Sequence, residues 1–358
     1  NVAIGSWDSS TFQAPMTTNQ VGSFNIAIGS GALRLANDDS VDGSIGIGYG
    51  ALNEHVGNSS NARFANTAIA IGYKALQQMT SGSGNLAIGY SSGLNVTTGA
   101  DNLGIGEKTL GGNSSTAITG DANTAVGWSA GSNLEGAVAN NTLIGKNAGF
   151  AMTTGSGNVA VGKSALDSVT TSSNNTAVGL NALHACGDSY NNVAIGKDAG
   201  DTITNTGGLN TVIGTSADVS TGAAENQIVI GNGATGQSNN SVTLGNSSVT
   251  SIFAPTKTAI QSYGTVSVTD GSTITLAGNN LGAAILCIYE GSAGIAGVYA
   301  LAYQFAAVEL AGNANTSTSD TAGKVCVING TNNHTVTIKN NTGVMRNFRI
   351  MVYSAAFN

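Results

Sequence analysis

Charge is what this chain most lacks. Asp, Glu, Lys and Arg make up 9% of its 358 residues, against about 25% in ordinary globular domains. So thin a charge supply, with a net charge of −7, gives no basic stripe of the kind that nucleic-acid binding requires. The acid excess lies in residues 1–252, which hold 7 basic and 15 acidic side chains; residues 253–358 hold 5 and 4. There are only two prolines and three cysteines. Cys186, Cys287 and Cys326 make neither a disulfide framework nor a zinc spacing. Cys287 and Cys326 lie in apolar, strand-like runs, where buried thiols are one reading and a single 287–326 disulfide the other. No apolar run reaches the roughly 20 residues of a membrane-spanning helix, and no amphipathic helix or heptad stalk is visible. The chain begins at Asn1 without Met and in register with a repeat, so we read it as a fragment or a processed product.

What the chain has is glycine, 51 of it, and a motif that organises the glycine. A segment of the form Asn-Val-Ala-Val-Gly, as at Asn158 to Gly162, occurs fourteen times. The copies end at Gly5, Gly29, Gly48, Gly72, Gly89, Gly106, Gly127, Gly145, Gly162, Gly179, Gly196, Gly214, Gly231 and Gly245. Six of the thirteen spacings are 17 residues, and longer ones read as 17 plus a loop. A fixed period of this size marks a solenoid. Numbering from the glycine as position 0, positions −1 and −3 are Ile, Val, Leu or Thr in every copy. Alternate strand residues share a face, so these two positions form one apolar, mostly β-branched face, to be buried as the repeats stack. Position −2 is Ala or Gly in ten copies and position −4 is Asn in ten. The small face admits another backbone, and a column of Asn can form a ladder. The glycine itself ends the strand, where φ is positive or space is short. Ala recurs at +3 and Leu or Gly at +4, which reads as a second short strand before a polar return loop.

The Asn-x-Ala-Ile-Gly-x-x-Ala pattern resembles the head repeat of YadA-type trimeric autotransporter adhesins. It is still more similar to the repeat arrays of phage tail fibres, most clearly over Asn158 to Leu166 and Asn175 to Leu183. The resemblance covers roughly residues 1–250 and departs from the adhesin pattern in its longer period. It implies a left-handed parallel β-roll, three chains around one axis, and a role in attachment.

The expected architecture is therefore all-β. Residues 1–249 form the β-roll shaft, irregular with insertions in 1–84, and its repeat glycines Gly89, Gly106, Gly127, Gly145, Gly162, Gly179, Gly196 and Gly214 are structural. Residues 250–262, with Pro255, form a linker. Residues 263–358 form a β-sandwich or jelly-roll-like tip, from short apolar runs such as Ala284 to Tyr289 and Asn347 to Tyr353 separated by turns. A hundred residues suffice for one such core, marginally.

Catalytic and metal signatures are weak. Gly-x-Ser-x-Gly occurs at Gly89 to Gly93 and Gly127 to Gly131, but the repeat generates it and no strand-to-helix turn accompanies it. His55, His184 and His334 stand without partners at metal spacing. Asp38, Asp39 and Asp42 read as a solvated loop in preference to a calcium site. No catalytic residue, metal ligand or cofactor is assigned. Polar loops of the C-terminal part are the candidate receptor contacts, namely Asn313, Asn315, Thr316, Ser317 and Asp320 between Gly312 and Gly323, and Asn332, Asn333 and His334.

The function expected from this reading is attachment without catalysis: a homotrimeric tail fibre or adhesin on a virion or cell surface. Its partners would be a host glycan or protein and other virion tail proteins at the N-terminal end, with no nucleic acid and no membrane insertion. Alternatives are a bacterial trimeric autotransporter head and a glycan depolymerase built on a carboxylate pair across chains. An ice-binding solenoid would carry a Thr column, whereas only four copies have Thr at −3.

Overall fold

The computed structural model describes residues 1–5, 15–16, 23–34, 41–54, 67–111, 115–204 and 206–249, and beyond them the backbone of ten strands. The chain divides into two units, Asn1–Asn246 and Ser247–Asn358.

The first unit is a parallel β-solenoid with one three-residue strand per repeat. The strands are β1 (Val2–Ile4), β2 (Ile26–Ile28), β3 (Ile45–Ile47), β4 (Ile69–Ile71), β5 (Leu86–Ile88), β6 (Leu103–Ile105), β7 (Thr124–Val126), β8 (Thr142–Ile144), β9 (Val159–Val161), β10 (Thr176–Val178), β11 (Val193–Ile195), β12 (Thr211–Ile213), β13 (Ile228–Ile230) and β14 (Val242–Leu244). They pair in sequence order into one sheet of fourteen. Every pairing is in repeat register, as in Thr176↔Val193 and Ala177↔Ala194. No helix occurs among the described residues.

The orientation of the strand faces differs from the sequence reading. Position −2 points inward: Ala27, Ala70, Ala87, Ala125, Ala160, Ala177 and Ala194 are fully buried. Positions −3 and −1 face outward and stay half-exposed along the sheet. Stacking the coils buries the small face, and the Val/Ile face remains at the surface. The reason is the thinness of the coil. A Cβ on Gly46 at position −2 would lie 3.2 Å from the Ala51 carbonyl oxygen of the turn opposite, so nothing larger than alanine fits most coils.

No second strand follows the glycine. Residues at +2 and +4 take the left-handed conformation instead, as with Ser164 (φ 54°) and Leu166 (φ 52°), or Asn147 (58°) and Gly149 (60°). This explains the Leu/Gly alternation at +4. Glycine adopts φ > 0 freely, whereas leucine costs about 1–2 kcal/mol there and is retained where it fills the core. Leu33, Leu52, Leu76, Leu166 and Leu183 are all buried. The glycines lie against such side chains: a Cβ on Gly93 would sit 2.8 Å from Leu76 Cδ2, and one on Gly200 2.9 Å from Leu183 Cδ2.

A third inward column, at +7, was not anticipated. Met79, Val96, Leu134, Met152, Val169, Cys186 and Ile203 occupy it, all fully buried. The core is thus three columns deep: mostly alanine at −2, with Leu143, Val212 and Val229 in three coils, Ala-Leu or Ala-Gly at +3 and +4, and a mixed apolar residue at +7.

The repeat glycine is fixed twice over. Gly162 has φ +138°, and a Cβ there would lie 2.3 Å from the Gly179 carbonyl oxygen. Gly89, Gly179 and Gly196 meet the same obstacle at 2.3 to 2.5 Å from Gly106, Gly196 and Gly214.

The second unit holds two sheets. The six-stranded sheet runs β15 (Ser251–Phe253), β16 (Thr258–Val268), β24 (Arg346–Ala355), β18 (Ala283–Glu290), β19 (Ile295–Ala302) and β20 (Val308–Gly312). The four-stranded sheet runs β17 (Thr273–Ala277), β23 (Thr335–Asn340), β22 (Val325–Asn329) and β21 (Thr316–Ser317). Pairing is antiparallel throughout except for β21 with β22. The stretch read as a linker, 250–262, carries β15 and the start of β16. Cys287 lies in β18 of the larger sheet and Cys326 in β22 of the smaller.

Candidate functional site

Three features of the solenoid are columns generated by the repeat, two at the surface and one inside. The first is the outer sheet face. Of its 28 positions at −3 and −1, 24 are Val, Ile or Leu. Exposure is 39% at Ile144, 40% at Ile195 and 40% at Ile230. Isolated apolar residues at a surface are ordinary, but a contiguous band marks an interaction face.

The second is the Asn ladder at −4, which lies inside. Each Asn accepts on Oδ1 the backbone N–H of the Asn one coil on: Asn102 to Asn85 at 2.9 Å, Asn158 to Asn141 at 2.9 Å, Asn192 to Asn175 at 2.9 Å. Each also donates through Nδ2 to a return-loop carbonyl: Asn85 to Gly99 at 2.8 Å, Asn158 to Ser172 at 2.9 Å, Asn210 to Ala224 at 2.8 Å. Buried amides are thereby satisfied, as burial demands. This column binds the molecule together and offers nothing to a ligand.

The third is the corner just after the glycine. Tyr49, Tyr73 and Tyr90 occupy +1 in three successive coils. Their rings stack at centroid distances of 5.2 Å and 4.9 Å, tilted by only 7° and 8°. Trp128 follows in the same column, with Lys146 Nζ 4.8 Å above its ring. Lys74 Nζ lies 5.4 Å from the Tyr73 ring, and Lys197 pairs with Asp198 at 3.1 Å. Net charge per half-chain does not reveal this arrangement. The signal that could have found it is the register of the lysines relative to the repeat glycine.

The sequence candidates fare unevenly. Thr316 and Ser317 form β21, paired with Val325 and Cys326 of β22. Asn313, Asn315, Asp320, Asn332, Asn333 and His334 lie outside the described residues, as do His55, Asp38 and Asp39. The insertions Trp7 to Gln20, Asn37 to Gly43 and His55 to Phe64 lie wholly or largely outside them too. The Gly-x-Ser-x-Gly serines are turn residues at +2. Ser91 (φ 51°) and Ser129 (φ 55°) are both buried, and the Ser129 hydroxyl has no hydrogen-bond partner. A nucleophile needs access that these serines lack. His184 is not isolated: Nε2 lies 3.6 Å from Asp167 and Nδ1 3.9 Å from Asp201, all three at +5 of successive coils. Burial raises the Asp167 carboxyl above its usual range and His184 pulls it back down. Cys186, inside the core, has its thiol pushed up to about 11 by burial. No group of His, Cys, Asp and Glu able to hold a metal ion occurs among the described residues.

No family model, no curated protein and no solved structure matches the chain.

Proposed function

We propose that the protein is a fibrous attachment protein acting without catalysis: a homotrimeric tail fibre or adhesin. In this reading the solenoid is a rigid spacer and the C-terminal unit is a β-sandwich tip that binds a host glycan or protein. The observation that carries it is the outer apolar face. A coil stack whose core is already complete still presents two columns of Val, Ile and Leu over fourteen strands. Full burial of such a side chain is worth about 1.5–3 kcal/mol. Nine of the 24 are 37–62% exposed and the rest partly exposed, so the gain available on association is of the same order as the roughly 4–15 kcal/mol that association costs. Three chains packed by these faces around a common axis would hide all three at once. Three tips on one fibre would then bind by avidity, so each site could be weak.

The proposal has two separable tests. Sedimentation of the full chain should give three times the 35.4 kDa of one chain, and a monomer at micromolar concentration would remove the trimer. Labelled full-length chain should adhere to the right host cells, while a variant lacking the 312–323 and 329–334 loops should not. Equal adhesion by both would remove the tip as the receptor site.

A further inference from the structure

All five lysines before residue 250 lie one or two residues after a repeat glycine: Lys74, Lys108, Lys146, Lys163 and Lys197, with Lys146, Lys163 and Lys197 at +1. Because every coil pairs with the next in register, they fall on one corner, in a line along the stack. Thirteen of the fifteen acidic residues of 1–252 lie at other positions of the repeat; Glu107 and Asp198 are the exceptions. Five of the seven basic residues of 1–252 thus share one edge, Arg34 and Arg63 being the others.

We propose that this corner is a binding strip for a linear acidic polysaccharide lying along the coil stack. Lys146, Lys163 and Lys197 are exposed. Coils repeat about every 4.8 Å, close to the advance of one sugar unit in an extended polysaccharide, so carboxylates on adjacent units can meet Lys146 and Lys163, and one two units further on can meet Lys197, past Leu180 at +1 of the intervening coil. Lys146 is held over Trp128, which fixes its ammonium while leaving it donors for a carboxylate. Tyr73 and Tyr90, upstream in the same column, are 39% and 50% exposed and add phenol groups that can hydrogen-bond sugar hydroxyls. A single-stranded nucleic acid fits less well. It binds by laying bases on open ring faces, and here Tyr49, Tyr73 and Tyr90 cover one another's faces. The strip is independent of the receptor site proposed for the C-terminal unit.

The test is retention of the full chain on immobilised polygalacturonate, with dextran as neutral polymer and oligothymidylate as nucleic acid. Retention should be strong at about 50 mM NaCl and largely screened at about 0.5 M, with none on dextran. The triple variant K146Q/K163Q/K197Q should lose about tenfold in affinity, and K146R/K163R/K197R should bind like the parent. K324Q/K339Q, with its changes in the C-terminal unit, should also bind like the parent. Undiminished binding by the glutamine variant, no retention at low salt, or tighter retention on oligothymidylate than on polygalacturonate would each overturn the proposal. Failure of the arginine variant to bind would do so as well, since charge would then not be what the polymer reads.

Discussion

Asn175 donates its backbone N–H to Oδ1 of Asn158, seventeen residues earlier, at 3.0 Å. The bond crosses from one coil to the next, inside the molecule, and its counterpart recurs along the stack. It makes the Asn column a register device. An amide side chain can supply an acceptor to the neighbouring coil and a donor to its own return loop, and no apolar side chain can do either.

Asn158→Ala should therefore be costly and local. It strands the Asn175 N–H and the Ser172 carbonyl, each of which loses a partner in a buried site. At about 1–3 kcal/mol for each orphaned group, the coil should weaken by about 2–6 kcal/mol. Solenoid stability is a sum over neighbours, so exchange of the Asn175 amide should quicken far more than that of Asn102, several coils away. Uniform acceleration along the whole unit would contradict a local register bond.

Two glycines separate steric from conformational cost. Gly162→Ala forces a Cβ to 2.3 Å from the Gly179 carbonyl oxygen at φ +138°. It should open the stack locally and depress thermal stability severely, beyond the roughly 1–3 kcal/mol of backbone strain alone. Gly136 also has positive φ (+66°), but nothing lies within 4 Å of its would-be Cβ. Gly136→Ala should cost only about 1 kcal/mol. Thermal melts of the two variants check this, and equal effects would mean that the inter-coil carbonyl yields.

How much of this could be read from the sequence depends on how tightly each position is constrained. The strands, their register and the Asn and Gly columns were readable, because a glycine under a carbonyl admits almost no substitute and the buried amide is kept in ten of fourteen coils, with Ser44, Ala68, Gln227 and Ser241 in the others. The +7 core column was not, because Met79, Val96, Leu134 and Cys186 differ in size and share only apolarity. A loop of variable length also precedes the next motif. The face assignment was misread in part for an instructive reason. Burial was expected of Val and Ile, yet the space between strand and turn is narrow and holds Ala or Gly in ten of the fourteen coils, with Leu143, Val212 and Val229 buried there in three others. In the C-terminal unit, runs such as Ala284 to Tyr289 announced strands β18 and β24 well enough. Strands β15, β20 and β21 are short or polar and carried no such pattern.

Cys186 gives a pH prediction. Burial pushes its thiol from 9.0 up to about 11, so the folded state favours the protonated form. Its contribution to stability is then fully present below pH 9.0, the unfolded value, and is lost as pH rises through about 11. A shift of this size corresponds to about 2–3 kcal/mol. Denaturant midpoints should fall over that window in the parent and less so in Cys186→Ala, measured relative to each protein's value at pH 7. The native thiol should also resist iodoacetamide at pH 8, checked by mass mapping of the peptide that contains it. Rapid native labelling would show the column to be open.

The outer face allows assembly to be separated from folding. Ile144 and Ile195 are about 40% exposed in a single solenoid, so Ile144→Lys with Ile195→Lys costs the isolated coil stack little, about 1 kcal/mol at each site. In a face-to-face assembly the same ammonium groups would be stripped of water without partners, which costs several kcal/mol per ion. Circular dichroism should keep its β signature while sedimentation shifts to the monomer. Ala177→Leu is the complementary change. Ala177 is fully buried on the inward face, so extra volume should strain the coil by about 1–3 kcal/mol and leave the outer face intact. If the lysine pair unfolded the chain and the leucine dispersed the oligomer, inside and outside would be the reverse of what the strand faces show.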